Sequence, residues 1–157
     1  MEVKTVNVDE TPYLYVEGSA PANPDAVGAA MGEAFGKVMA FIGQHGLTPT
    51  GMPMSVYYTY DPEQMAFRAG IPVSADDAGK AQGEIKADVT PAGEVLHFVH
   101  VGPYDKLAEA YGQAEQEARK TGRGLGTPTW EVYANDPGET PPEQLRTEVF
   151  SVPGPVW

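Results

Sequence analysis

The sequence predicts an α+β fold made of duplicated β-α-β-β modules, with two long helices over a joined antiparallel sheet. Three observations predict it. Alternating or β-rich runs are interrupted by two long helical runs, the order of elements in the first half recurs in the second, and residue pairs recur at corresponding places.

Taken in order, residues 2–8 and 13–17 are β-rich or alternate in polarity, and turn formers at residues 9–12 separate them, so they read as a pair of strands. Asn23 then offers a helix cap and Pro24 a first-turn proline. Val27, Met31, Ala34, Phe35, Val38, Met39 and Ile42 follow at helical spacing up to Gly46. After a breaker at residues 47–53, residues 54–60 and 65–73 read as two strands around the turn Asp61-Pro62-Glu63-Gln64. In the second half, residues 84–89 and 94–101 are strands. Gly102-Pro103 opens a helix with Leu107, Ala108, Tyr111, Ala114 and Ala118 on one face, and Gly122-Arg123-Gly124 ends it. Residues 129–135 and 145–152 close the unit.

The recurrences are specific. Val3-Lys4 returns as Ile85-Lys86, Leu14 as Leu96 and Pro24 as Pro103, while residues 56–62 align with 131–137, each carrying Tyr-x-x-Asp-Pro. The expected organisation is one domain over residues 1–157, built from repeats of about 1–80 and 81–157. Two helices on one side of such a sheet leave the seam between the halves as a central cleft, where ligands favour binding.

Composition narrows the function. At 157 residues and 16.8 kDa the chain suits a single core, and no run approaches the ~18 consecutive apolar residues that cross a bilayer, so a cytoplasmic protein with no membrane span is expected. Cysteine is absent, which excludes disulfides, thiolate zinc sites and cysteine nucleophiles. His97 and His100 fall on opposite faces of a strand and His45 sits near a helix end, so no metal site is expected. The stretches "GKAQG" and "GRGLG" lack the spacing of a phosphate loop, and no serine sits in a nucleophile elbow; no cofactor is expected. Ten Lys and Arg stand against 22 Asp and Glu, a formal charge of −12 that repels nucleic acid and attracts basic proteins or cationic small molecules.

One residue stands out. Within Trp130–Tyr133, alternation puts Glu131 and Tyr133 on one face and Trp130 and Val132 on the other. The alignment of the halves places Val56 opposite Glu131 in role and Tyr58 opposite Tyr133. A carboxylate in an aromatic-lined groove has its charged form destabilised unless a cation or donor meets it, so it can bind a cation or move a proton. A strand with one solvated face would place Glu131 in water instead, and the eight tyrosines serve equally as core-edge residues.

The segments "HVGPYDKLAEAYGQ" (residues 100–113) and "TPTWEVYANDPGETPPEQLRTEVFSVP" (residues 127–153), with "GLTPTGMPMSVYYTYDP" and "FRAGIPV" in the first half, resemble the GyrI-like small-molecule-binding domain, which also serves as the effector-binding domain of AraC-type and MerR-type regulators. The resemblance implies a curved antiparallel sheet with a central ligand cleft in which Glu131 faces the ligand. The ligand-binding candidates are then Glu131, Tyr133, Tyr58, Trp130, Val56, His100 and Phe98. It implies a stand-alone protein that senses or sequesters an aromatic small molecule, a cation being the form that Glu131 favours. Two alternatives stay open: a hydrolase of cyclopropane-bearing genotoxic natural products, with Glu131, Tyr133 and Tyr104 as catalytic groups, and an inhibitor that binds a protein partner such as gyrase. No helix-turn-helix segment or basic face is visible, so direct nucleic-acid binding is not expected.

Overall fold

The computed structural model describes residues 2–58, 63–136 and 138–154. Its frame is one sheet of eight strands: β1 (Lys4–Val8), β2 (Pro12–Pro21), β3 (Met54–Tyr57), β4 (Gln64–Pro72), β5 (Lys86–Val89), β6 (Gly93–Val101), β7 (Gly124–Tyr133) and β8 (Arg146–Gly154). The spatial order is β1-β6-β8-β7-β3-β4-β2-β5, antiparallel throughout. Three helices accompany it, α1 (Pro24–Gln44), α2 (Ala75–Ala78) and α3 (Leu107–Arg119), with 3-10 turns at Tyr104–Lys106 and Pro142–Gln144. The short α2 has no counterpart among the sequence expectations. Thr59, Tyr60, Asp61 and Pro62 of the expected third strand and its turn, and Pro137 of the second Asp-Pro pair, lie outside the described residues.

The order shows how the halves join. β3-β4-β2 of the first half and β7-β8-β6 of the second meet at the β3–β7 pair, so the seam falls in mid-sheet. The leading strands are exchanged. β1 does not pair with β2 as the sequence suggests; it extends the second half through Lys4 opposite His97, while β5 extends the first through Lys86 opposite Tyr15. At the crossing, the Thr11 amide donates to Thr90 Oγ1 and the Thr90 amide to the Thr11 carbonyl, which satisfies both backbone groups outside a hairpin.

Both helices lie on one face. The Asn23 side chain accepts the Ala26 amide at the start of α1. Ala34, Val38, Phe41 and Ile42 of α1 then bury against Leu14, Val16, Phe67, Ala69 and Ile71. Each large apolar side chain so buried stabilises the fold by about 1.5–3 kcal/mol. Phe41 takes the inward place that periodicity gave to Met39, which is 48% exposed. By length and composition Asp25–Gln44 could cross a membrane, although no run in the sequence is continuously apolar; here one face packs on the sheet and most of the helix lies outside the core. On α3 the buried stripe is Ala110, Ala114 and Ala118, the first two packed with Phe98 and Val149, and Ala108 is exposed.

The other face of the sheet has no helix yet is also apolar. Tyr13, Tyr15, Met54, Val56, Val95 and Trp130 are buried there. A row of side chains crosses it strand by strand, His97, Phe150, Trp130, Val56, Arg68 and Glu17, because each is the register partner of the next.

Candidate functional site

The seam strands carry their polar residues toward the helices. In β7, Glu131 and Tyr133 share the helix face, and the register sets Ser55 of β3 directly opposite Glu131. Glu131 is 6% exposed. Tyr111 of α3 donates to its Oε2 at 2.6 Å, and the Tyr133 hydroxyl lies 3.0 Å from Oε1 and 2.8 Å from Ser55 Oγ. From α1, Met31 Sδ approaches Ser55 Oγ at 3.4 Å, and the Phe35 ring stands edge-on to Tyr133 at 6.3 Å. The Tyr104 ring also packs on Tyr133, with centroids 5.5 Å apart.

The electrostatics follow from this enclosure. Burial raises the Glu131 carboxyl above its ordinary value; the hydrogen bonds from Tyr111 and Tyr133 and the proximity of His100 only partly oppose that. Among the described residues no Lys or Arg forms an ion pair with Glu131. Burial first, and then the charge of Glu131, drives the Tyr57, Tyr111 and Tyr133 phenols well above their usual range, so all three keep their protons. Burial raises the Tyr104 phenol too, with Asp136 and Glu131 adding to it. Proton counting gives the chain Ser55–Tyr133–Glu131 two arrangements. With Glu131 ionised, Tyr133 donates to the carboxylate and Ser55 donates to Tyr133. With Glu131 protonated, the carboxyl donates to Tyr133 and Tyr133 donates to Ser55. The Ser55–Tyr133–Glu131 chain therefore stays bonded in either protonation state, with the Ser55 proton free to turn to Met31 Sδ only when Glu131 is protonated.

The structure gathers Glu131, Tyr133 and Tyr104 from the sequence candidates. His100 lies near Glu131, and its Nε2 donates to the Pro103 carbonyl at 2.9 Å. Phe98 lies behind the site, its ring edge-on to Tyr111 at 5.5 Å. Val56 and Trp130 require correction. They are register partners on the helix-free face, each one residue out of phase with Ser55 and Glu131, so neither shares a surface with the acid. Tyr58 is likewise separate, with the Arg68 guanidinium 4.4 Å from its ring centroid. The alignment of the halves was thus one residue off: Ser55 and Tyr57, on the helix face, are the positional counterparts of Glu131 and Tyr133.

Sequence reasoning missed Ser55, Tyr57, Met31, Phe35 and the role of Tyr111. A signal existed for Tyr111, the one aromatic on an otherwise aliphatic helix face. Thr147, the register partner of Tyr133, adds a fully buried hydroxyl without a hydrogen-bond partner among the described residues. Glu131 is buried at the seam beneath these side chains. Two cavities, of about 310 and 540 Å³, lie elsewhere, and Glu131 lines neither.

The sequence model of the GyrI-like small molecule binding domain matches residues 1–151. The chain belongs to the GyrI-like family. Its fold is similar to that of the EcmrR C-terminal domain, with a TM-score of 0.76 at 23% identity over 99% of this chain and 98% of that one. The GyrI-like chain spans 58% of the longer EcmrR chain solved in a complex with DNA. SAV2435 bound to tetraphenylphosphonium is similar at a TM-score of 0.65 and 10% identity, over 98% of this chain and 94% of that one. A hydrolase from Listeria innocua is similar at 0.65 and 15% identity, over 98% and 92%. Among curated proteins none matches the chain.

Proposed function

We propose that this GyrI-like protein binds an aromatic, cationic small molecule at the seam, with Glu131 as counter-charge and Tyr57, Tyr104, Tyr111 and Tyr133 as stacking and hydrogen-bonding walls. The observation that carries the reading is a buried carboxylate whose close partners are neutral hydroxyls. A cation that reaches Glu131 supplies the missing charge and favours its ionised form, while the rings supply cation–π attraction. Because Glu131 is only 6% exposed, a ligand that touches it displaces one of the side chains packed around the seam, such as Met31, Phe35 or Tyr104. Small-molecule binding is what the family's description names, and a relative of the same fold was solved with an aromatic phosphonium.

The test is calorimetric titration of tetraphenylphosphonium into the wild type and Glu131→Gln. A loss of at least tenfold in seam affinity, with an unchanged circular dichroism spectrum, is expected. Equal affinity at the seam removes Glu131 from the account.

One observation favours a second reading. An acid raised above its normal range among phenolic donors is also how a general acid–base is built. Under that reading Glu131 moves a proton at a strained electrophile, and Tyr133 or Tyr104 bonds the developing oxyanion. Incubation with a cyclopropane-bearing alkylator decides it by mass spectrometry. Hydrolysed product beyond one equivalent per protein makes the chain an enzyme; protection limited to one equivalent makes it a binder.

A further inference from the structure

The helix-free face carries a second set of rings and acids, back to back with the first. A cavity of about 310 Å³ lies there, lined by Trp130 and Phe150, by Met52 and Met54, and by Asp9 and Glu148. The Trp130 and Phe150 rings stack with centroids 5.4 Å apart and planes 15° from parallel. Met52 is 41% exposed beside them. The charged lining is wholly acidic: no Lys, Arg or His borders the cavity among the described residues. Glu148 is half-buried, with Arg146 at 3.8 Å and His97 at 3.4 Å, both at Oε1. Neither contact is a hydrogen bond: His97 Nε2 has no hydrogen-bond partner among the described residues and the Arg146 nitrogen stands at 3.8 Å, and both approach Oε1, which leaves Oε2 to accept.

We infer that this groove is a second small-molecule site, one that takes an aromatic monocation. The occupant's class follows from the lining. A stacked indole and phenyl ring favour a flat or multi-ring partner and attract positive charge over the indole. Two methionines adapt to irregular outlines. Asp9 and Glu148, within a chain of net charge −12, draw cations in and repel carboxylates and phosphates. The volume sits at the lower end of small-molecule pockets, enough for one compact ligand. Trp130 and Glu131 are consecutive on β7 and point to opposite faces, so two bound cations would flank a single strand. The groove is formed without Glu131, and the inference stands or falls separately from the seam site.

The experiment follows the indole N–H resonance of Trp130 in a Trp157→Phe background, where Trp130 is the sole tryptophan. Tetraphenylphosphonium is titrated, with tetraphenylborate as its anionic isostere. A saturable shift with the phosphonium and none with the borate is expected. The shift persists in Glu131→Gln, and Met52→Lys and Glu148→Gln each weaken it about tenfold without altering the circular dichroism spectrum. An indole resonance that stays still at saturating phosphonium overturns the inference, as does one that moves equally with the borate. A shift abolished by Glu131→Gln but untouched by Met52→Lys overturns it too, because the resonance would then report only the seam.

Discussion

Across the seam, β3 of the first half sets Ser55 against Glu131 of β7 in the second, and the rest of each half follows that contrast. The first half brings neutral, soft groups: α1 contributes Met31 and Phe35. The second brings charge and strong donors: α3 contributes Tyr111, whose hydroxyl binds the carboxylate. Ser55 and Glu131 face each other in mid-sheet, and only one of the two positions carries an acid. Directly opposed residues have Cβ atoms about 4.5–5.5 Å apart, where two buried carboxylates cannot both ionise. Neither half brings a Lys or Arg into an ion pair with Glu131 among the described residues.

The sharpest way to break this comparison is to make the halves alike. Ser55 is fully buried, so Ser55→Asp places a second carboxyl opposite Glu131 and is expected to cost more than about 3 kcal/mol by urea denaturation at neutral pH. Combining it with Glu131→Gln should recover much of that loss, because the acid has then only changed sides. A Ser55→Asp protein as stable as the wild type would mean that the two positions do not face each other.

A smaller effect tests the strong donor. Tyr111→Phe removes the 2.6 Å bond to Glu131 and is expected to cost about 1.5–3 kcal/mol, the range for hydrogen bonds to charged groups. The pH dependence carries the sign. Glu131 titrates higher in the folded protein than in the unfolded chain, so its contribution to stability is fully present below the ordinary glutamate value of 4.5 and is lost as pH rises through the folded value. Glu131→Gln should remove that decline. Tyr111→Phe takes away a bond that held the carboxyl down, so its destabilisation should grow with rising pH. Cation affinity at the seam should rise over the same interval, because binding needs the ionised form. A Tyr111→Phe penalty that is flat from pH 4 to 8 would show that the phenol does not serve the carboxylate.

Most elements were legible because periodicity reports burial: Val38 and Ile42 mark the inner face of α1, and the alternation of Trp130 to Tyr133 placed Glu131 and Tyr133 together. What was not legible depended on pairing over long range. Nothing local says that β1 crosses to β6, since residues 9–12 are as good a turn as a crossing; the Thr11–Thr90 bonds that decide it span the halves. The one-residue slip in aligning the halves had a similar origin. Matching Tyr58 to Tyr133 satisfied the Asp-Pro turns, whereas the register of β3 with β7 obeys the faces of the sheet, and a slip by one exchanges Ser55 for Val56. The contact of Tyr111 with Glu131 joins a helix to a strand, and spacing within either element is silent about it.

The smallest effect separates the two helices. Gly28, Gly32 and Gly36 lie on the outer face of α1, and a Cβ added at any of them would meet nothing within 4 Å; the same holds for Gly112 on α3. Mid-helix glycine costs about 0.5–1 kcal/mol relative to alanine, so each Gly→Ala change at these four positions should stabilise the protein by roughly that amount. Gly70 is the contrasting case, since a Cβ there would come 2.9 Å from Tyr13 Cδ2 on the helix-free face, and Gly70→Ala should destabilise. Thermal melts of the single variants compare the helices directly. Equal gains at Gly32 and Gly112 mean that both outer faces stand in water in solution. A gain at Gly112 with a loss at Gly32 would mean that the outer face of α1 is covered by another molecule, and the contrast between the halves would then extend from the seam to the surface.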